Sequence, residues 1–318
     1  MKLLIKKLLT LLAFSYFITT GVNAQVTSLS ISPPLIETII KPGKSILIAY
    51  TISNHGDPVI LKPYISSLEI KENGKIVFKE AESPVRFSLD NSDLALEQPF
   101  FLKTAGRQQL LLRIRIPEGA PEGDYYHSLV VESQPPPLIE GVSSTRNKVS
   151  LSSNILITTT QTGNLNFNGK IIRFESLPRF KLNLFGKRIN IFDSNDKIPL
   201  LLILKNTGKN FFQPQGEINL QGNFGERAKY DLVPVNILAN SQRLIPATPS
   251  AEINSPQTNS LTLIGFFVGR YQLSTTIKLG NAKLLYAHTD FIALPFRFFI
   301  AFLFISIITL LIIRQQRN

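Results

Sequence analysis

The chain has 318 residues, 34 lysines and arginines against 22 acids, and no cysteine. Disulfides, thiolate metal sites and cysteine nucleophiles are therefore excluded. The formal charge of +12 is not gathered in one tract: Lys2, Lys6, Lys7, Arg297, Arg314 and Arg317 lie toward the two ends and the rest is spread along the middle, so with no recognition motif present a nucleic-acid partner is not expected.

Lys2, Lys6 and Lys7 precede a mostly apolar run at residues 8–18, and Val22-Asn23-Ala24 supplies small residues where a signal peptidase reads. Residues 1–24 thus read as a cleaved export signal. An exported chain without disulfides is held by packing alone, which fits a bacterial surface.

Short apolar stretches then alternate with turn signals as far as Thr160. Residues 29–31 read as an opening strand before Pro33-Pro34. Residues 35–40 are followed by Pro42-Gly43, and the strand at 45–52 ends at Asn54-His55-Gly56-Asp57. Within the extended run at 59–70, Pro63 lacks an N–H and favours an edge or a bulge. Asn73-Gly74, between residues 68–70 and 76–78, is the strongest hairpin signal because both residues tolerate positive φ. Further strands are expected at 85–89, 109–116 and 125–132. Along 110–116, Arg113 and Arg115 share one face and leave Leu112, Ile114 and Ile116 for the other. Pro135-Pro136-Pro137 and Gly141-Val142-Ser143-Ser144-Thr145 are too rich in proline and small polar residues for a core strand. Residues 149–160 supply the final strand, and Gln161-Thr162-Gly163-Asn164 is the preferred domain boundary.

The second half repeats this punctuation. Asn54-His55-Gly56 with Pro63 has a counterpart in Asn206-Thr207-Gly208 with Pro214, and Gly123-Asp124-Tyr125 has one in Gly269-Arg270-Tyr271. The shared order implies tandem copies of one β-sandwich. In each copy glycine permits a tight turn at the start of a late strand, and Tyr125 or Tyr271 packs its ring and satisfies its hydroxyl locally. Leu200-Leu201-Leu202-Ile203-Leu204 reads as a buried strand, too short to cross a bilayer. Pro246, Pro249 and Pro256 mark a long surface loop.

Residues 291–313 are almost wholly apolar and are followed by Arg314-Gln315-Gln316-Arg317-Asn318. A helix of that length crosses the hydrocarbon core, and Arg314 and Arg317 hold the tail in the cytoplasm. Arg297 interrupts this run; it is expected to snorkel to headgroups, or to pair with an acid in another membrane helix. Pro295 is a second candidate for the point where juxtamembrane chain becomes helix. The expected layout is a signal peptide at 1–24, β-sandwiches at 25–160 and 161–288, a transmembrane helix at 291–313 and a tail at 314–318. The fold class is all-β: two tandem immunoglobulin-like β-sandwiches followed by one transmembrane α-helix.

Candidate chemistry is sparse. His55, His127 and His288 show no paired-ligand spacing and read as surface or strand-edge polarity. Asp193, Asn195 and Asp196 suit a turn better than a calcium loop. Glu37, Glu69, Glu118, Glu122 and Glu217 include no pair that the sequence singles out. Neither a phosphate-cradling glycine loop nor a nucleophile elbow is present, and no cofactor is expected.

Ser30-Ile31-Ser32-Pro33, Lys41-Pro42-Gly43, Tyr50-Thr51-Ile52-Ser53-Asn54-His55-Gly56, Gly123-Asp124-Tyr125-Tyr126 and Leu204-Lys205-Asn206-Thr207-Gly208 together carry a resemblance. The chain resembles bacterial surface proteins with tandem immunoglobulin-like domains and a C-terminal anchor, and most nearly the WxL-interacting proteins of Gram-positive bacteria. That resemblance implies attachment to the wall or to a host. The expected function is a non-enzymatic, membrane-anchored binding or adhesion protein whose partners are the lipid bilayer and a cell-wall polymer or surface protein. A structural subunit of an envelope assembly and a surface glycan hydrolase are the alternatives.

Overall fold

The computed structural model describes residues 28–80, 82–134, 148–178, 180–184, 187–249, 258–280 and 283–317. The expected export signal, the proline-rich stretch after Gln134 and Pro256 lie outside these residues.

The first sandwich comprises β1 (Leu29–Ser32), β2 (Leu35–Ile40), β3 (Ser45–Asn54), β4 (Val59–Ile70), β5 (Ile76–Lys79), β6 (Arg86–Leu89), β7 (Phe100–Leu102), β8 (Arg107–Arg115), β9 (Gly123–Gln134) and β10 (Ser150–Thr159). One sheet has the order β1-β3-β8-β6 and the other β2-β10-β9-β4-β5, with β7 also on β4. Pro33-Pro34 interrupts the opening segment, so that β1 pairs antiparallel with β3 in one sheet and β2 runs parallel to β10 in the other. The alternation along β8 divides core from solvent as expected: Leu110, Leu112, Ile114 and Ile116 are fully buried while Arg113 and Arg115 are exposed. Each such aliphatic side chain contributes about 1.5–3 kcal/mol through removal from water. Pro63 lies in the gap between the part of β4 that pairs with β7 and the part that pairs with β5, so its missing N–H breaks no ladder. At the β4–β5 hairpin only Gly74 takes positive φ, 84°, while the Asn73 side chain accepts from the Lys75 N–H at 3.1 Å.

The second sandwich comprises β11 (Gly169–Ser176), β12 (Phe180–Leu184), β13 (Lys187–Asp193), β14 (Ile198–Asn206), β15 (Gln215–Gly222), β16 (Arg227–Asp231), β17 (Gln242–Leu244), β18 (Leu261–Leu263), β19 (Gly269–Leu279) and β20 (Lys283–Leu294). Its sheets are β11-β14-β17, with β18 also on β14, and β12-β13-β20-β19-β15-β16. The first copy's division recurs: β11 pairs antiparallel with β14 while β13 runs parallel to β20. Between them the second copy adds the β12–β13 hairpin. Leu200, Leu202 and Leu204 are completely buried, as expected for a core strand. The surface loop expected around Pro246 is corrected. Residues 244–247 are buried, because the Ile245 N–H bonds the Leu202 carbonyl and the Ala247 N–H bonds that of Ser260.

A single long helix, α1 (Phe296–Arg317), follows β20. The apolar run therefore divides later than expected. Phe291 to Leu294 belong to β20, the first three paired with residues 269–271 on β19 and Leu294 with Asp193 on β13, and Phe291 and Ala293 are core residues. Pro295 is the transition. Within Phe296–Gln316 the most apolar stretch of 18 residues has a mean hydropathy of 2.7 and none of that stretch is buried against the protein, so the helix's length and composition suit a bilayer crossing.

Candidate functional site

Three places bring together the residues that carry function or fix geometry. At the root of α1, the turn Asp193-Ser194-Asn195-Asp196 is closed by the Asp196 N–H bonding the Asp193 carbonyl, and by the Asp193 N–H and the Asn195 N–H bonding carboxylates of Asp196 and Asp193. This is the turn chemistry the spacing suggests. The same turn also anchors the helix. One Asp193 oxygen accepts the Arg297 backbone N–H at 3.0 Å, and the Asp196 carboxylate accepts the Arg297 guanidinium at 3.0 Å. Asp193 thus satisfies one of the free N–H groups at the start of a helix and places negative charge at the positive end of its dipole. Arg297, expected six residues inside the helix, is its second residue and is paired within its own chain. Arg314 is exposed near the other end, and Arg317 is the last helical residue.

Directly above the root, Phe192, Phe267, Tyr271 and Phe291 form an aromatic plug. Tyr271 stacks on Phe291 with centroids 5.2 Å apart, and Phe267 and Phe192 meet Phe291 edge-on at 6.0 and 5.6 Å. The Tyr271 hydroxyl donates to Glu226 and accepts the Val268 N–H, both at 3.2 Å. Tyr125 in the first copy donates to the Pro121 carbonyl at 2.8 Å. Gly123 and Gly269, at φ 148° and 92°, open the corresponding strands.

The second place is the repeated asparagine turn. Asn54 is fully buried, donates to the Asp57, Leu102 and Lys103 carbonyls, and accepts the Gly56 N–H at 2.9 Å. Asn206, equally buried, donates to the Asn210 and Ile237 carbonyls and accepts the Gly208 N–H at 2.8 Å. A buried amide can be held only when its donors and acceptor are used, and both are. These residues are structural locks, and their agreement is the physical content of the repeat.

The third place is the joint between the sandwiches, which no spacing in the sequence foreshadows. Asp124 accepts Thr158 at 2.7 Å, Tyr126 at 2.8 Å, the Asn210 amide at 2.9 Å and the Phe211 backbone N–H. The Tyr126 hydroxyl also accepts the Ala239 N–H at 2.9 Å, and burial together with the Asp124 charge pushes its pKa upward. Leu68, Leu156 and Leu238 pack beneath, with Ile70, Tyr126 and Phe211 around them. Glu37 bonds Gln213 and Asn236, and the Leu244 N–H bonds the Glu72 carbonyl at 2.8 Å. Gly74 also faces this joint: a Cβ there would lie 3.4 Å from the Arg243 guanidinium.

Reading His127 as surface polarity is corrected. It lies on β9, between β4 and β10, and is buried against Phe87 with centroids 4.8 Å apart. Its Nε2 meets Ser83 Oγ at 3.0 Å and its Nδ1 meets Ser67 Oγ at 3.4 Å, beside a cleft of about 530 Å³ lined also by Lys79, Glu80 and Glu82. Serine next to histidine invites comparison with a nucleophile and its base. Here burial lowers the imidazole to about 4, which makes it a weak base, and both ring nitrogens face hydroxyls rather than an orienting carboxylate. The linkage has a definite sign. Between about pH 6.5 and pH 4 the unfolded chain takes up a proton that folded His127 refuses, so this residue's contribution is intact above that window and is lost as pH falls through it. Urea titrations from pH 7.5 to 4 should show wild type losing up to about 3 kcal/mol more than His127→Gln across the window; parallel curves would refute the assignment.

His55 and His288 are exposed. Glu37, Glu69, Glu122 and Glu217 are each engaged by amide, ammonium or backbone groups rather than by one another. Among the described residues no group of three or more histidine, aspartate or glutamate side chains is placed to hold a metal ion.

No family model and no curated protein matches the chain, so the resemblance to WxL-interacting proteins rests on the quoted residues alone. Among solved structures, the paired sandwich is similar in fold to fimbrial chaperones. A structure from work on a chaperone–tip adhesin complex in CFA/I fimbriae biogenesis is 12% identical over 83% of this chain and 98% of that one, with a TM-score of 0.41. The class 5 fimbriae chaperone CfaA is 12% identical over 82% and 99%, with a TM-score of 0.38. The E. coli chaperone DraB is 14% identical over 83% and 98%, also with a TM-score of 0.38. At TM-scores below 0.5 these likenesses are too coarse to carry a function from those proteins to this one.

Proposed function

We propose that this chain is a membrane-tethered, non-catalytic envelope protein whose two sandwiches act as one rigid body in assembling a protein complex at the outer face of the membrane. The observation that carries this reading is the junction between β20 and α1. A single residue, Pro295, separates core strand from apolar helix, and Arg297 is bonded to Asp193 and Asp196. A root this short keeps the second sandwich close to wherever α1 enters the lipid. The Asp124 joint, at the other end of that sandwich, then fixes the first sandwich relative to the bilayer. Fixed geometry suits positioning of partners close to the membrane. The export signal read at residues 1–24 and the basic end of α1 support an outer location for the sandwiches.

Recognition of an anionic wall polymer is a second reading, favoured by one feature. Arg86 and Arg115 are direct cross-strand neighbours on β6 and β8, both exposed, and neither forms an ion pair among the described residues. Like charges so placed repel unless an anion lies between them. Crosslinking of the full-length protein in intact membranes separates the readings. Assembly predicts a discrete product joined to another membrane or envelope protein. Recovery of the uncrosslinked chain alone, with retention on purified wall polymer that is lost in Arg86→Glu/Arg115→Glu, would reject assembly in favour of polymer recognition.

A further inference from the structure

The end of the second sandwich from which α1 departs carries more apolar surface than the helix alone. Antiparallel pairing of Gly269 with Ala293 and of Gly222 with Tyr271, and the parallel pairing of Asp193 with Leu294, bring three connections to this one end. They are the β13–β14 turn, the β15–β16 turn and the β18–β19 loop. On the last two stand Phe224 and Ile264, each 74% exposed, and Phe266, 58% exposed. Exposed apolar residues scattered singly need no explanation, but three of them lie at the one end of the sandwich where an apolar helix begins.

Their presentation is fixed by the backbone. Gly225, at φ 93°, closes the turn that projects Phe224, and the Asn223 N–H bonds the Arg270 carbonyl at 3.1 Å. The Phe224 ring lies over Gly269, where a Cβ would come within 3.1 Å of it. The loop bearing Phe266 is held through the Phe267 N–H, which bonds the Ser194 carbonyl at 3.0 Å, and Ser194 in turn donates its own N–H to Leu294 at 3.1 Å. Phe266 meets Phe298, the third residue of α1, edge-on with centroids 6.2 Å apart. Whatever depth Phe298 reaches in the bilayer, Phe266 reaches beside it.

Of the carboxylates at this end, Asp193, with 8% of its side chain exposed, and Asp196 are bonded to Arg297, Asp290 is bonded to Arg270, and Glu226, exposed on the same turn as Phe224, accepts the Tyr271 hydroxyl.

We propose that Phe224, Ile264 and Phe266 enter the interfacial layer of the bilayer beside α1, so that the second sandwich is seated on the lipid at several points rather than tethered at one. The occupant of this surface is the headgroup and upper acyl region of the membrane that α1 crosses, and the inference therefore rests on α1 being a span. Amphipathic surfaces of this kind bury their apolar side chains about 5–10 Å into the headgroup boundary. A second copy of the chain or a protein partner would have to compete with lipid already held there by the helix.

The chain contains no tryptophan, so one introduced residue reports alone. Full-length Phe224→Trp, Phe266→Trp, Phe302→Trp and Phe101→Trp would each be reconstituted in phosphatidylcholine/phosphatidylglycerol vesicles containing lipids brominated at shallow or deep positions. Phe302 lies within α1, and Phe101 is an exposed residue of the first sandwich. The expected result is blue-shifted emission quenched by shallow bromines for Phe224→Trp and Phe266→Trp, quenching by deep bromines for Phe302→Trp, and unquenched, water-exposed emission for Phe101→Trp. If Phe302→Trp is quenched while Phe224→Trp and Phe266→Trp are not, seating is wrong and the span stands. Blue-shifted but unquenched emission from those two would mean that protein covers them and would equally overturn the proposal. Absence of quenching in Phe302→Trp would defeat the spanning reading itself.

Discussion

Phe291→Asp should abolish cooperative folding of the second sandwich. Phe291 is 1% exposed and stacks on Tyr271, with Phe192 and Phe267 edge-on. Truncating such a ring costs about 3–5 kcal/mol, and a carboxylate at that position adds the cost of burying an unpaired charge. Together these rival the whole stability of a domain, about 5–15 kcal/mol. If residue 291 were instead the outer end of a membrane helix, the substitution would place a carboxylate among headgroups and leave both sandwiches folded. Limited proteolysis and urea titration of the full-length protein in detergent distinguish the two. A second sandwich as resistant as wild type would remove Phe291 from the core.

The strand at residues 283–294 is hard to see in the sequence for a definite reason. Its last residues, Phe291-Ile292-Ala293-Leu294, are apolar and run into an apolar helix, so a window that reads only hydropathy joins them. The distinguishing signal is periodic: Tyr286, His288 and Asp290 alternate with Leu285, Ala287 and Thr289, a period of two that no membrane helix would show, and Pro295 then marks the break. By contrast, β2 and β4 are legible with their bounds, because each is flanked by proline, glycine or asparagine turns, even though β2 finds its partner β10 far along the chain. The Asn54 and Asn206 locks are visible as a repeat, although which carbonyls they hold is not. β7 escapes notice because a three-residue strand offers no period to read. His127 is misjudged from sequence because burial on both sides of β9 depends on β4 and β10, whose order in the sheet the sequence does not state. The joint at Asp124 is out of reach for a similar reason: its partners Asn210 and Phe211 come from the other sandwich and follow no spacing rule.

Arg297 shows how one boundary changes a residue's meaning. Placed six residues inside a helix it requires snorkelling or a partner in another membrane protein. As the second residue of a helix that begins at Phe296 it stands at the helix's start, with two carboxylates of its own chain in reach. The pairing is partly exposed, so its contribution to stability is small. Its value is geometric, since it fixes the direction in which α1 leaves the sandwich.

Asp124→Ala should loosen the two sandwiches from each other without unfolding either. The carboxylate gathers four donors, two from its own sandwich, Thr158 and Tyr126, and two from the other, Asn210 and the Phe211 N–H. Hydrogen bonds to a charged acceptor are worth about 1.5–3 kcal/mol each, and removing the shared acceptor strands all four donors at once. Solvent reaches part of the site and compensates some of them, so the expected loss is about 3–5 kcal/mol from the joint. Tyr126→Phe should cost less, about 1–2 kcal/mol, because it removes one donor and leaves the Ala239 N–H without its acceptor while keeping the ring on Phe211. The apolar cluster of Leu68, Leu156 and Leu238 stays in place in both variants, so the sandwiches remain in contact but sample a wider range of angles. Small-angle scattering of the full-length protein in nanodiscs should show a broadened distribution of interdomain distances for Asp124→Ala, with faster cleavage by protease at residues 160–168 between β10 and β11. A scattering profile and cleavage rate equal to wild type would show that packing alone holds the joint, and would remove the polar clamp from the rigid body on which an assembly role at the membrane depends.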